Sequence, residues 1–143
     1  MSVREQASLI REVCVFCLEH KGRCFKDWSG EKIFKYISFH WLNGTLFVAR
    51  DNDKGYILGV GIAWRVKKDL LVKRENEGLP QFDWSKLDDE GDATLVCDVF
   101  GTKKICHQLF DMAMQKWPEA RKQPLFTYRN GDLTSLPMAR FLT

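Results

Sequence analysis

The chain has 143 residues, of which 45% are hydrophobic and 29% charged, with ten Phe and five Trp. That length sets one domain, residues 1–143, as the expectation, and that composition excludes disorder, collagen-like repeats and low-complexity sequence. The net charge of +3, from 22 basic against 19 acidic residues, is too small to point to nucleic acid, where clustering of charge decides.

The spacing predicts a first amphipathic helix from Ser2 to about His20. Ile10, Val13, Cys14, Cys17 and Leu18 fall on one stripe, with Arg4, Glu5, Arg11, Glu12 and Glu19 opposite, and Gly22 follows as a stop. Glu5 and Glu12 also interrupt the apolar stretch that a signal peptide needs. No apolar run approaches the ~18 residues of a membrane span, so the sequence predicts no span and a cytoplasmic location. A second helix is expected from an N-cap at Ser29 to Asn43-Gly44, with Ile33, Ile37 and Trp41 on its stripe. A strand over 45–50 and a turn at Asp51–Gly55 come next.

The strand from Tyr56 to Val66 is two-faced. Tyr56, Leu58, Val60, Ile62, Trp64 and Val66 make one face bulky, whereas Ile57, Gly59, Gly61 and Ala63 leave the other nearly bare. Glycines inside a strand mark a close approach, either by a packed helix or by a ligand. Residues 67–92 carry Lys67, Lys68, Lys73 and Arg74, then Pro80, then the acidic run Asp88–Asp92. They read as a short helix or turn followed by an exposed connection, either a solvated insertion or a functional loop. Ala93 to Phe100 is a buried strand interrupted by Asp98. Gly101-Thr102 opens a helix that buries Ile105, Leu109, Met112 or Ala113, and Trp117, and that Pro118 breaks. A strand over 125–129, a turn at Asn130-Gly131 and a short element or tail over 133–143 complete the chain.

Four constellations carry possible chemistry. Cys14-x-x-Cys17, with His20 and Cys24 nearby, has the ligand types of a zinc site, but Cys14 and Cys17 stand on the apolar stripe of a helix, where thiols pack as small hydrophobes. Five cysteines, an odd number, fit free thiols rather than a disulfide framework, and the expectation is no metal. Among the histidines, His40 reads as a core or boundary residue and His107 as partly exposed. Asp98 is costly to bury in ATLVCDVF without a partner, and serves either as a structural anchor or as a catalytic orienter or base. Gly101-Thr102-Lys103-Lys104 offers a helix N-terminus and two cations to a phosphate, or simply an N-cap at Thr102.

The blocks LFVARDNDKGYILGVGIAW (46–64) and GDATLVCDVFG (91–101), Trp28 before the second helix, and the helix ending KWPEA (116–120) resemble the GNAT acetyltransferase superfamily. More narrowly, they are similar to the bacterial toxin-activating lysine acyltransferases, over roughly residues 20 to 130. The resemblance implies a single-domain α/β fold, a mixed and mostly antiparallel sheet with helices on both faces. It also implies transfer of an acyl group from acyl-coenzyme A or acyl carrier protein, with no tightly bound cofactor, to a lysine of a protein acceptor. The family's catalytic Asp corresponds to Asp98. Its catalytic His would fall three residues before Trp28, where Phe25 stands, and His20 is the candidate to reach in instead.

In this reading Gly59 and Gly61 admit the donor chain, while Gly101, Thr102, Lys103 and Lys104 hold its phosphates. With Phe25 at the histidine position, Asp98 is expected to be mainly structural, and any acyl transfer to be slow unless His20 or His107 lies within hydrogen-bond reach. The alternatives are a non-catalytic binding module on the same fold and a nucleic-acid-associated protein using Lys67, Lys68, Lys73 and Arg74. The acidic residues that follow that basic run, with no aromatic platform beside it, disfavour nucleic acid.

Overall fold

The computed structural model describes residues 2–20, 27–76, 91–129 and 132–137. Gly22, Cys24, Phe25, Pro80, the turn at 130–131, most of the acidic run and the last six residues lie outside them, as do the side chains of Lys73 and Arg74. Helix α1 (Val3–Glu19) and helix α2 (Gly30–Leu42) precede strands β1 (Leu46–Arg50) and β2 (Ile57–Val66). Helix α3 (Lys68–Asn76), strand β3 (Ala93–Phe100), helix α4 (Lys103–Lys116), a short 3-10 turn (Pro118–Lys122) and strands β4 (Leu125–Arg129) and β5 (Asp132–Leu136) follow. The five strands form one mixed sheet in sequence order. Strands β1 and β2 pair antiparallel, β3 and β4 parallel across the α4 connection, and β4 and β5 antiparallel. This is an α/β protein. No described helix is long and apolar enough to cross a membrane.

The chain gathers into two compact units, one of residues 1–62 with 98–109 and one of residues 63–97 with 110–143. In the first, both helices start as the sequence dictates. Ser2 Oγ accepts from the Glu5 N–H and Ser29 Oγ from the Lys32 N–H, each at 3.1 Å, which satisfies donors that a helix start leaves open. Helix α1 buries Ile10, Val13, Cys14 and Cys17. Helix α2 differs from expectation: its buried stripe is Ile33, Tyr36, Ile37 and His40, and Trp41 is only half-buried. His40 is buried, in keeping with its reading as a core or boundary residue, whereas Tyr36 enters the core unexpectedly. The β1–β2 turn is built by Asp51, whose Oδ1 accepts from the N–H groups of Asp53 and Lys54, and by Gly55 at φ 75°.

The bare face of β2 is covered by α4. A Cβ on Gly59 would collide with Ile105 and would lie 2.7 Å from the Phe100 carbonyl oxygen. One on Gly61 would rest 3.6 Å from Leu109, an ordinary contact. Of the two readings of these glycines, helix packing is what occupies their face. Ile105, Leu109, Ala113 and Trp117 are the buried residues of this helix stripe, with Ala113 taking the place shared in expectation with Met112.

In the second unit the centre is a residue the sequence reading passed over. Arg65, near the end of β2, is 1% exposed. Its Nη1 donates to Thr94 Oγ1 at 2.5 Å, and its Nη2 donates to the Gly91 carbonyl at 2.6 Å and to Gln123 Oε1. Burial pushes its pKa down, opposed by the charges of Glu119 and Asp92. Asp92, at the end of the acidic run, is exposed, and its Oδ1 accepts the Lys68 N–H at 2.7 Å, which caps the start of α3.

The two glycines of β2 should respond differently to the same change. Gly59→Ala is expected to cost about 1–3 kcal/mol through overpacking against backbone and Ile105. Gly61→Ala should be neutral or gain roughly 0.5 kcal/mol from reduced unfolded-state freedom. Urea unfolding of both variants checks this, and equal losses would show that α4 does not sit over Gly59.

Candidate functional site

Asp98 lies near the end of β3, three residues ahead of Gly101, and is 7% exposed. Its Oδ2 accepts the hydroxyl of Tyr36 at 2.7 Å. Hydrogen bonds to charged groups are worth about 1.5–3 kcal/mol, so this single contact ties the strand end firmly to α2. Sequence reading missed Tyr36. Its spacing from Ile33 and Ile37 puts it beside the apolar stripe, which is the signal that could have found it.

Tyr36 is held from two sides by rings on its own chain segment. Trp28 packs edge-on against it at 5.2 Å and 79°, and His40 at 4.7 Å and 80°. The Lys32 ammonium sits 4.2 Å over the Trp28 ring, a cation–π contact on the exposed side of the same helix turn. His40 is fully buried and shares a 2.6 Å hydrogen bond between its Nδ1 and Thr45 Oγ1. Thr45 Oγ1 also lies 3.2 Å from the His40 carbonyl oxygen, to which its hydroxyl can donate. Burial lowers the His40 pKa to about 3, which keeps the ring neutral at pH 7.

Cys17 borders the same carboxylate. Its thiol is pushed up to about 12, first by burial, then by Cys14 and Asp98. Cys14 is likewise raised by burial. Both thiols are packed in the core of the first unit, and the four described cysteines are free. Among the described residues no group of three or more His, Cys, Asp or Glu is placed to hold a metal ion.

The other predicted site residues fall as follows. Gly101 adopts φ 150°, and a Cβ there would lie 2.9 Å from Ile105 Cγ2, so both conformation and space call for glycine. Thr102 Oγ1 accepts the Ile105 N–H at 3.3 Å and acts as the cap of α4, with Lys103 and Lys104 exposed beside it. His20 is exposed at the end of α1; its Nδ1 is 2.9 Å from the Phe16 carbonyl oxygen and its ring stacks on Phe16 at 4.1 Å. Among the described residues, this hydrogen bond and this ring contact both stay on its own helix. His107 is half-buried on α4. Phe25 lies outside the described residues. No family model, no curated protein and no solved structure matches this chain.

Two measurements follow from this burial. Because His40 takes up a proton near 6.5 when unfolded but only near 3 when folded, its contribution is fully present above pH 6.5 and is lost as the pH falls toward 3. The wild type should lose about 1.4 kcal/mol per pH unit from this group between pH 6 and 4. His40→Asn, which keeps a polar atom at the Nδ1 position, should flatten that slope in urea titrations at each pH, and an unchanged slope would refute the assignment. In native protein at pH 8, iodoacetamide should leave Cys14 and Cys17 unmodified while both react fully after unfolding. Native labelling at the unfolded rate would show that these thiols are not in the core.

Proposed function

We propose that this chain is an acyltransferase of the GNAT type, similar to the toxin-activating lysine acyltransferases, which moves an acyl group from a coenzyme A or acyl carrier protein thioester to a lysine. The observation that carries this reading is the placement of Asp98. A buried carboxylate stands near the end of a strand, and a glycine in the left-handed region then opens the following helix.

In the proposed reaction the lysine amine attacks the thioester carbonyl, the C–N bond forms, the C–S bond breaks, and the thiolate takes a proton. The ammonium first gives one proton to the Asp98 carboxylate; after attack the nitrogen loses a second proton to solvent, and the proton held by Asp98 passes to the departing thiolate. The exposed N-terminus of α4, with Lys103 and Lys104, is where the donor phosphates would rest. Gly59 and Gly61 contribute the seat of α4 in this scheme, since their face is filled by Ile105 and Leu109.

A second reading, a non-catalytic binding module on the same fold, is favoured by one observation: His20 is bound back onto Phe16. Turnover separates the two. Purified protein is incubated with acetyl-, myristoyl- and palmitoyl-coenzyme A and with acylated acyl carrier protein, together with a lysine-containing peptide. Thiol release and peptide mass are then followed. Slow transfer is expected, with Phe25 at the histidine position, falling at least tenfold in Asp98→Asn with the fold retained. A thermal shift with donor but no transfer would establish the binding module; neither shift nor transfer would overturn both readings.

A further inference from the structure

We infer that Tyr36 is a positioning residue for acyl transfer, acting through Asp98. The inference rests on the acyltransferase reading and deepens it. A side-chain carboxylate turns about two bonds, and an oxygen that must meet an ammonium at a fixed distance needs both torsions set before the substrate arrives. The Tyr36 hydroxyl sets them, by donating to Oδ2 at 2.7 Å from a different element of the fold. The hydroxyl is itself fixed. Its ring is 6% exposed and is held edge-on by Trp28 and His40, and His40 is anchored in turn to Thr45.

The geometry of this stripe is periodic. Tyr36 and His40 lie one helical turn apart on one face of α2, and Trp28, just ahead of the Ser29 N-cap, meets Tyr36 from the start of the helix. Rigid-element support of this kind places a functional group more accurately than a loop does. Tyr36 makes no bond to donor or acceptor in this scheme. It fixes the orientation of the group that does, so its effect belongs in the turnover step and not in donor binding.

Tyr36→Phe tests this, since it removes one oxygen and keeps the ring packing. The experiment measures steady-state thiol release from acyl-coenzyme A with the lysine peptide, at saturating and subsaturating donor, on full-length protein. Cooperative thermal unfolding confirms that each variant is folded. The expected result is a fall in kcat on the order of 10- to 100-fold with the donor KM within about twofold, the range set by the loss of one hydrogen bond to a charged group. In an Asp98→Asn background the same change should lower the residual kcat by no more than about twofold, because Tyr36 then has no charged group to orient. Wild-type turnover with an unchanged kcat in Tyr36→Phe would overturn the inference and leave the acyltransferase reading standing. A rise in donor KM alone would also overturn it, and would place Tyr36 in the binding surface. Absence of turnover in the wild type with every donor would overturn the reading and the inference together.

Discussion

The close seating of α4 on β2 at Gly59 is the constraint on which the first unit depends. A helix approaches a strand only as near as the side chains between them allow. Here the missing Cβ of Gly59 lets Ile105 and the Phe100 carbonyl come into the space a methyl group would fill. The same isoleucine also crowds Gly101, whose φ of 150° turns the chain from β3 into α4. One apolar side chain thus meets two backbone positions, and the register between strand end, turn and helix leaves little freedom. Asp98, three residues before that turn, inherits its place from it.

The elements themselves were readable because they obey local rules. Ser2 and Ser29 cap where an N-cap is expected, Gly44 at φ 68° and Gly55 at φ 75° sit just past an ending helix and in a turn, and Ile105, Leu109 and Trp117 keep helical spacing. The polar interior was harder to see. His40 could be read as a core or boundary residue, but not its bond to Thr45, five residues on, nor the bond of Tyr36 to Asp98, 62 residues away. Arg65 was missed for the same reason. Periodicity reports which face a residue is on, whereas satisfaction of a buried polar group depends on what the rest of the chain brings to it. Of the candidate site, the placement of Asp98 in a buried strand and of Gly101 at a helix start could be read from sequence; the partner of Asp98 could not.

The first unit also shows how a core can be polar without being loose. Trp28, Tyr36 and His40 meet edge to edge, with hydroxyl and imidazole groups each directed at a specific acceptor or donor. Each directional bond fixes the rings it joins more narrowly than an all-aliphatic stripe would. The ring of His40, kept neutral by burial, adds no charge beside Asp98 at pH 7.

Arg65 has a different consequence, for the way the second unit is assembled. Its acceptors, Thr94, the Gly91 carbonyl and Gln123, are all uncharged and come from stretches 29, 26 and 58 residues distant along the chain. A guanidinium removed from water with only part of that set in place is a strongly unfavourable species. Half-built forms of this unit are therefore penalised, and ordering of the β2 end, the entry to β3 and the approach to β4 is coupled into one event. Contacts of such sequence separation slow the search for that event. The buried cation acts as a checkpoint on folding, sharpening the transition while lengthening the time needed to reach it.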